Sequence, residues 1–534
     1  MDLTQLPAVF NATSHFVDRH LTEGRAKKIA IECGDEKVTY SQLAERVNRA
    51  GNALKSLGVH REQRVALLLL DTPDFAYCFF GAIKIGAVAV PLNTLLTASD
   101  YEYLLNDSRT EVVIVSAPLL SRLQAIPSEH LQYLKTIVVA GDVLPGFASL
   151  GSLMNASSAE LKSESTCKDD AAFWLYSSGS TGKPKGCVHL QHDMVVSAES
   201  YGKAVLGVRE TDRLFSVAKL FFAYGLGNGL YFSLAVGATS ILWPGTPSPA
   251  NVIAVIERYR PTLFFSVPSN YAALLSYRAN GQERELDFSS VRWAVSAGES
   301  LPESIYQRFA KNFGVQILDA IGSTEALHMF IANRPGANRP GSSGQVIPGF
   351  EARILNESGQ PVPDGEIGNL FIKGDSICSH YWNQHERSKD TIQGHWLRTG
   401  DKYYRDQDGY YFYVGRSDEM LKVKGMWVSP IEIENALLDH PAVQEAAVVG
   451  FADDDDLTKP AAFVAVRSGF DESEQLSQSL MAFLKQRLAP HKCPHKLEFV
   501  KELPRTATGK VQRYKLREQM QKAPASGVGF SRAH

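Results

Sequence analysis

Cysteine is scarce in this chain, and its spacing excludes a disulfide framework. Only 6 of the 534 residues are cysteine, and no two of them form a C-x-x-C pair. Small proteins stapled by disulfides are much richer in cysteine, whereas a chain of this length can bury hydrophobic cores without cross-links. We therefore expect reduced thiols and a cytoplasmic location.

Long apolar runs are also missing. The longest ones, such as residues 65–70, have the length of a strand and are too short to cross a bilayer. The first 16 residues lack a basic stretch followed by an apolar core, so we expect no signal peptide. A membrane partner is not expected.

No charge of one sign dominates. The chain has 55 basic and 58 acidic residues and a net charge of −3, and no basic stripe stands out. Nucleic acid is therefore not an expected partner. The length of 534 residues exceeds what one core usually holds and indicates two or more domains.

The first 350 residues alternate between short buried strands and amphipathic helices. Apolar residues after Ser41, which can cap a helix, recur at helical spacing up to Gly58, and residues 75–85 and 101–105 also read as helices. Predicted strands cover residues 65–70, 87–91, 112–115, 263–267, 291–296 and 315–320. This rhythm favours an α/β fold with mostly parallel sheets covered by helices.

The pattern changes near residue 350. Segments 351–355, 368–372 and 410–414 read as antiparallel strands separated by Pro-Asp-Gly and Asp-Gly turns. A smaller α+β unit follows, with helices at 431–438 and 472–488 and strands at 443–450, 461–467 and 498–500. We predict a large domain at residues 1–416, with its β-rich part at about 345–416, and a small domain at 417–534.

The most informative stretch is the segment from Trp174 to Gly186, where hydroxyls, glycines and lysines follow a strand. Glycines let backbone N–H groups turn toward an anion, while hydroxyl and ammonium groups add donors and charge. The candidate phosphate-binding residues are Ser177, Ser178, Gly179, Ser180, Thr181, Gly182, Lys183 and Lys185. The spacing is not that of a Walker A loop, and a flexible polar linker is the alternative from composition alone.

The ordered string Tyr-Ser-Ser-Gly-Ser-Thr-Gly-Lys-Pro-Lys-Gly resembles the phosphate loop of the adenylate-forming superfamily, which includes acyl-CoA synthetases, adenylation domains and luciferases. The resemblance continues through nearly the whole chain. It implies a small C-terminal domain that is mobile, and an enzyme that uses ATP, Mg²⁺ and coenzyme A.

Residues after the strand at 315–320 resemble a second part of the nucleotide site. The resemblance implies that Thr324 binds the α-phosphate and that Glu325 is a ligand of Mg²⁺, a role suited to a carboxylate. Ile321 departs from the family, where an aromatic residue often packs on adenine. The remaining candidate nucleotide-binding residues here are Asp319, Ala320, Gly322 and Ser323, together with Gly298, Glu299 and Ser300 on the other side of adenine. Ser300 also reads as a helix cap.

Further matches lie toward the C-terminus. The resemblance implies that Asp401 and Arg416 bind the ribose, that Asp418 is the hinge of the small domain, and that Lys424 and Gly425 line the pantetheine tunnel. Lys510, in Pro-Arg-Thr-Ala-Thr-Gly-Lys, is implied to be catalytic for adenylation together with Thr324. The alternative for this lysine is an ordinary surface position.

Aromatic and glycine residues at 219–228 resemble one wall of the acyl pocket. With Leu-His after Thr-Glu, they look like the benzoate–CoA ligase branch, and flat aromatic walls suit an aryl ring. The expected acid-binding residues are Phe222, Ala223, Tyr224, Gly298, His328 and Met329. His328 either faces a ring edge or fills the core. Ala326 stands where benzoate–CoA ligases usually carry Met. The smaller side chain leaves room for a ring substituent, so 2-aminobenzoate and hydroxybenzoates compete with benzoate as expected substrates.

The sequence therefore predicts an aryl-CoA ligase that forms an aryl-adenylate and then a thioester. A stand-alone enzyme that loads a carrier protein is the alternative within the superfamily. A silent nucleotide-binding protein and a phosphotransferase that releases ADP are the alternatives outside it. A homodimer is one option that the sequence does not specify. His189 and His192 follow the phosphate loop at a spacing that indicates no clear metal site.

Overall fold

The structure is a computed structural model, and it describes residues 6–142, 145–179, 182–277, 286–423, 426–453, 457–505 and 511–522. Among these residues, no helix combines the length and the apolar character needed to cross a membrane.

The described strands run in chain order from the N-terminal region to the small C-terminal unit. They are β1 Ile29–Cys33, β2 Glu36–Thr39, β3 Arg64–Leu68, β4 Val88–Pro91, β5 Val112–Ser116, β6 Thr136–Ala140, β7 Ala148–Ser149, β8 Ala171–Gly179, β9 Gly182–Leu190, β10 Arg213–Ser216, β11 Thr239–Ile241, β12 Leu263–Ser266, β13 Trp293–Ser296, β14 Ile317–Gly322, β15 Met329–Ala332, β16 Gln345–Val346, β17 Phe350–Leu355, β18 Gly368–Gly374, β19 His380–Tyr381, β20 Ile392–Gln393, β21 Trp396–Arg405, β22 Tyr411–Arg416, β23 Leu421–Val423, β24 Met426–Val428, β25 Val443–Ala452, β26 Thr458–Val466 and β27 Lys496–Phe499.

The α-helices lie between these strands. They are α1 Arg19–Thr22, α2 Tyr40–Ser56, α3 Pro73–Lys84, α4 Ala98–Asp107, α5 Leu120–Gln124, α6 Leu150–Ala156, α7 Asp193–Ser197, α8 Ala223–Leu226, α9 Phe232–Val236, α10 Pro249–Tyr259, α11 Pro268–Ser276, α12 Glu303–Phe313, α13 His385–Thr391, α14 Pro430–Leu438, α15 Glu474–Lys485 and α16 Arg513–Lys522. Wider π-helical turns occur at Ser14–Asp18, Ala198–Lys203 and Gly227–Tyr231.

Two large sheets have parallel centres and antiparallel strands at one or both edges. One has the order β19-β9-β8-β4-β3-β5-β6-β7, in which β4, β3, β5 and β6 pair in parallel and β8-β9 is an antiparallel hairpin. The other has the order β16-β15-β14-β13-β12-β10-β11-β1-β2, with parallel pairing from β14 to β1. The prediction of helix-covered, mostly parallel sheets is confirmed.

The local sequence explains why α2 begins after Thr39 and which of its faces is buried. Thr39 accepts a hydrogen bond from the backbone N–H of Gln42, and Gln42 caps Thr39 in return, which satisfies two otherwise unpaired N–H groups. Leu43, Val47 and Leu54 recur at helical spacing and are fully buried. The prediction that Ser41 caps this helix is therefore wrong, because Ser41 lies inside its first turn.

The β-rich region is an antiparallel sheet in which β17, β18, β21 and β20 are neighbours and β22 pairs with β21. The three strands predicted here are confirmed, but β21 was not predicted. This strand carries Thr399-Gly-Asp401, a combination that resembles a turn. Gly400 adopts a φ of 78° within the strand, which a glycine accommodates without strain.

The C-terminal unit has its own apolar core. It contains the β23-β24 hairpin and the sheet β25-β26-β27, packed against α14 and α15 through residues that include Ile433, Val448 and Leu480. This arrangement agrees with the predicted α+β unit. The boundary after residue 416 remains a prediction.

Candidate active site

The predicted phosphate loop lies at the tip of the β8-β9 hairpin. Ser177 pairs with Lys185, and Gly179 pairs with Gly182, so the two strands approach each other closely at this tip. Ser180 and Thr181 lie outside the described residues, as does the side chain of Ser178. Lys183 is exposed, with its ammonium 4.9 Å from the centre of the Tyr103 ring.

Lys185 points instead toward a buried carboxylate. Its Nζ lies 2.8 Å from Oε1 of Glu325, and it donates a hydrogen bond of 2.7 Å to the hydroxyl of Tyr381. The Tyr381 hydroxyl in turn donates to Glu325 at 2.9 Å. The side chains of Lys185 and Glu325 are only 12% and 14% exposed, so water screens this pair weakly.

The electrostatics of this triangle keep Glu325 ionised. Burial raises the pKa of Glu325, but the Lys185 charge and the hydrogen bonds from Lys185 and Tyr381 outweigh it, so that the pKa falls below its ordinary value. Burial and the neighbouring Glu325 charge raise the pKa of Tyr381, which stays a neutral donor. A metal cation or phosphate groups could be held here by the carboxylate and the ammonium, respectively.

Thr324 and Glu325 belong to a tight turn after β14. Ser323 Oγ accepts from the backbone N–H of Ala326 at 3.2 Å, and the Thr324 carbonyl accepts from Leu327 at 3.1 Å. Leu327 has a φ of 66°, which is rare for a residue with a branched side chain and stores backbone strain at this turn. A side chain at Gly322 would lie 2.5 Å from the His328 carbonyl oxygen, so glycine is needed there.

The residues before this turn lie at the carboxyl ends of parallel strands, where α/β sheets bind ligands. Asp319 is paired in register with Ser296 of the neighbouring β13, and burial holds the pKa of Asp319 well above its ordinary range. Ala320 is buried, and Ile321 is partly buried against the main core.

The segment after β13 brings the other predicted adenine-side residues to the same edge. Gly298 has a φ of 89°, which lets the chain turn sharply between β13 and α12. The prediction that Ser300 caps a helix is wrong, because α12 begins at Glu303 after Pro302, and no side chain caps it. Glu299 and Ser300 lie in the connection.

The predicted acid pocket is built from aromatic rings. Tyr224 lies in α8, and its hydroxyl lies 3.1 and 3.2 Å from the carbonyl oxygens of Ser266 and Val295, which fixes the ring at the ends of β12 and β13. The ring of His328 lies 5.8 Å from that of Tyr224, centre to centre. Phe222 and Ala223 adjoin Tyr224 at the start of α8.

His328 is neutral and buried. Burial lowers its pKa to about 3, so the imidazole carries no charge at neutral pH. Its ring lies 4.6 Å from Phe232 and 5.2 Å from Tyr201, and a side chain at Gly227 would come within 2.6 Å of it. Met329 is buried in the core at the start of β15.

The predicted ribose residues form a second ion pair. Asp401 and Arg416 are opposite each other on β21 and β22, with Arg416 Nη1 3.0 Å from the Asp401 carboxylate and 2.9 Å from the Thr399 carbonyl. Burial lowers the pKa of Arg416, but the charges of Asp401 and Asp418 outweigh it and raise the pKa. Asp418, the predicted hinge, lies 3.6 Å from Arg416.

Lys510, Lys424 and Gly425 lie outside the described residues. Arg505 and Val511, on either side of the segment that contains Lys510, form an isolated β-bridge. Arg505 lies 3.7 Å from Glu299, so that the base of the lysine segment borders the adenine-side connection.

Sequence reasoning missed some residues that the fold adds to the site. Tyr381 is 196 residues from Lys185 in the chain and reaches it because β19 pairs with β9. His189 and Asp193 form a buried pair next to Thr324, whereas the histidines had been considered from the sequence only as a metal site. No sequence signal indicated Tyr381, whereas the alternation of residues along β9 could have placed His189 on the same face as Lys185.

The chain matches the sequence pattern of the family described as "AMP-binding enzyme" over residues 18–382, and that of its C-terminal domain over residues 432–510. It is 47% identical over 522 residues to the benzoate–CoA ligase of Thauera aromatica, which covers 96% of this chain and 97% of that protein.

Two crystal structures are similar over nearly the whole chain. An anthranilate CoA ligase in complex with anthranoyl-AMP has 43% identity and a TM-score of 0.93, covering 98% of this chain and 99% of the other. A benzoate CoA ligase from Burkholderia xenovorans LB400 has 45% identity and a TM-score of 0.88, covering 95% and 100%. This chain therefore belongs to the AMP-binding family of adenylate-forming enzymes, as its phosphate loop had indicated.

Proposed function

We propose that this enzyme is an aryl-CoA ligase that joins benzoate or a simple substituted benzoate to coenzyme A and releases AMP and pyrophosphate. The observation that carries the proposal is the position of the Lys185–Glu325–Tyr381 triangle, which lies three residues along the chain from the neutral aromatic wall at His328. The similarity to benzoate–CoA and anthranilate–CoA ligases supports the same conclusion.

The first half-reaction joins two anions. The carboxylate of the acid attacks the α-phosphorus of ATP, an aryl-adenylate forms, and pyrophosphate leaves. No general base is needed because the carboxylate is already ionised, so the enzyme has to supply positive charge and donors where charge develops. We assign this role to Lys185, Lys510 and the phosphate loop, with Thr324 on the α-phosphate.

The residues present fit a magnesium ion. Mg²⁺ prefers one or two carboxylates together with phosphate oxygens and water, and Glu325 is an ionised carboxylate beside the phosphate loop. When bound, the ion would neutralise charge on the phosphates. Lys185, which pairs with Glu325 in this structure, can then donate to phosphate oxygens because its flexible stem carries a mobile point charge.

The second half-reaction needs a different face of the small domain. We assign the hinge to Asp418, which lies beside Arg416 at the end of β22. Rotation about it would move Lys510 away and bring Lys424 and Gly425 to the entry path of the thiol. The thiolate of coenzyme A then attacks the acyl carbonyl, and AMP leaves with the electron pair of the broken acyl–phosphate bond.

The pocket favours an aryl ring with a small polar substituent. His328, Tyr224 and Phe232 supply flat surfaces that suit a planar ring better than a flexible acyl chain. The buried hydroxyl of Tyr201, whose ring contacts His328, has no hydrogen-bond partner among the described residues. We propose that 2-aminobenzoate and hydroxybenzoates are substrates along with benzoate.

The test incubates the enzyme with ATP, Mg²⁺ and benzoate, 2-aminobenzoate, 3- or 4-hydroxybenzoate or a medium-chain fatty acid, with and without coenzyme A. We expect AMP, pyrophosphate and an aryl-CoA thioester from at least one aryl acid, and no adenylation by Lys510→Ala. Aryl-adenylate without a thioester would favour the carrier-protein alternative. Release of ADP, or a preference for the fatty acid, would contradict the proposal.

A further inference from the structure

We infer that His189 is a positioning residue of the nucleotide site, which holds the Thr324–Glu325 turn against the strand that carries the phosphate loop. The inference rests on the proposed adenylation reaction and adds a residue to it. His189 lies on β9, and its ring is fully buried.

Both ring nitrogens of His189 face acceptors. Nδ1 lies 2.8 Å from Oδ2 of Asp193, and Nε2 lies 2.9 Å from the carbonyl oxygen of Thr324. A backbone carbonyl can only accept, so Nε2 donates to Thr324, while Nδ1 faces the Asp193 carboxylate. The same carboxylate oxygen accepts from the backbone N–H of Leu190 at 3.1 Å, which fixes its orientation.

The strand geometry explains why this contact matters for the site. Residues 185, 187 and 189 lie on one face of β9 because side chains alternate along a strand. Lys185 holds the Glu325 side chain at one end of this face, and His189 holds the Thr324 carbonyl at the other. Two successive residues of the turn are thus fixed to the strand that begins at the phosphate loop.

The packing allows the ring little freedom. Its face stacks on Phe173 of the neighbouring β8, with ring centres 5.1 Å apart and an angle of 18° between the planes. The turn that it holds is strained at Leu327, which has a φ of 66°. A strained turn persists only where surrounding contacts fix it, and the His189 hydrogen bond acts directly on that turn.

Two substitutions separate the two hydrogen bonds. In His189→Gln the amide nitrogen reaches the position of Nε2 and can still donate to Thr324, whereas in His189→Asn it lies near Nδ1 and can donate only to Asp193. Both substitutions remove the imidazole ring and replace it with a primary amide. MgATP affinity is measured by calorimetry, and the two half-reactions are measured as pyrophosphate exchange and as thioester formation from preformed aryl-adenylate.

We expect His189→Asn to weaken MgATP binding and slow pyrophosphate exchange by roughly ten- to a hundredfold, the cost of leaving a buried carbonyl without its donor. His189→Gln should stay within about threefold of the unsubstituted enzyme. Thioester formation should be slowed less than pyrophosphate exchange in His189→Asn, because the magnesium-bound β- and γ-phosphates have left and only the α-phosphate contact of Thr324 remains. Equal losses in the two variants, or equal losses in the two half-reactions, would overturn the inference.

A further measurement tests the role of His189 even if one variant does not fold. If His189→Asn does not fold, ¹⁵N spectra of the histidine-labelled enzyme, assigned by the signal lost in His189→Gln, should show the Nε2 of His189 protonated and a shift on addition of MgATP. An unprotonated Nε2 would overturn the inference. Failure of the proposed function would look different: the enzyme would bind MgATP but activate no aryl acid, and the affinities of the two variants would still decide the role of His189.

Discussion

Arg505 of the C-terminal unit lies 3.7 Å from Glu299 of the large domain, and its guanidinium is held in place by Glu445 at 3.1 Å. Arg505 also forms the β-bridge with Val511 that closes the base of the lysine segment. The ion pair thus connects this segment to the adenine-side connection. If the small domain rotates between half-reactions, the pair would act only in the adenylation orientation.

We predict that Glu299 and Arg505 are energetically coupled in adenylation but not in thioester formation. A partly exposed ion pair contributes about 0.2–1 kcal/mol. The coupling is measured in a double-mutant cycle of Glu299→Gln, Arg505→Gln and the double variant. It should change the rate of pyrophosphate exchange by up to about fivefold. The coupling should shrink at high ionic strength because salt screens exposed charges.

Arg467→Gln serves as the control for the loss of one positive charge from the same unit, because the Nε of Arg467 donates to the Val443 carbonyl rather than to an acid. It should not slow adenylation. Additive effects in the cycle, or an equal coupling in thioester formation, would show that the contact does not depend on the orientation of the small domain.

The second prediction concerns Lys185 and Glu325. Lys185→Met should leave a buried carboxylate without its cation, which lowers stability by about 3–5 kcal/mol and weakens MgATP binding by about tenfold or more. Thermal unfolding and calorimetry measure the two effects. Tyr381→Phe is the matched control because it removes the hydroxyl but keeps the 2.8 Å ion pair. If it impairs MgATP binding as strongly as Lys185→Met, the ammonium is not the main contributor.

The third prediction concerns substrate choice. Tyr201→Phe should leave stability unchanged within about 0.5 kcal/mol, because the buried hydroxyl has no partner among the described residues and its removal breaks no hydrogen bond there. It should lower kcat/KM for 2-amino- or hydroxybenzoate relative to benzoate by about threefold or more, since a polar substituent would lose its partner. Competition between paired acids measures the ratio. If the kcat/KM ratio between substituted benzoate and benzoate is unchanged for every substituent, Tyr201 does not contact the substrate.

Much of the fold could be predicted because buried strands and amphipathic helices leave clear patterns. The strand at 65–70 was predicted from its continuous apolar run. It corresponds to β3, Arg64–Leu68, which is buried on both faces. The strand β21 was missed because Thr399-Gly-Asp401 and several charged residues interrupt any alternation. Its pairing with β18 and β22 overrides these local preferences.

The site was predictable only where its residues lie close together in sequence. The phosphate loop and the Thr324–Glu325 turn are short motifs, and the structure brings them together through Lys185. Tyr381 was not predictable, because it lies on a two-residue strand and reaches Glu325 only after β19 pairs with β9. The double hydrogen bond of His189 likewise depends on how a strand and a distant turn pack, which spacing alone does not contain.

The last prediction concerns the pH dependence of stability at Asp71. This fully buried carboxyl lies 3.9 Å from the ammonium of Lys219, the first residue of the acid-pocket segment, and burial raises the pKa of Asp71 to about 6 despite that charge. The unfolded chain has a pKa of about 3.9 for aspartate, so between about pH 4 and pH 6 the folded state binds more protons than the unfolded state. Stability contributed by Asp71 is therefore highest below this window and falls as pH rises through it.

Asp71→Asn removes the titrating group and should remove this slope. The free energy of unfolding of the unsubstituted enzyme minus that of Asp71→Asn should fall by about 3 kcal/mol from pH 4 to above pH 6, and then stay flat to pH 8. Denaturant unfolding at a series of pH values measures the difference. Parallel curves for the unsubstituted enzyme and Asp71→Asn would mean that the pKa of Asp71 is the same in the folded and unfolded states, because Lys219 offsets its burial completely.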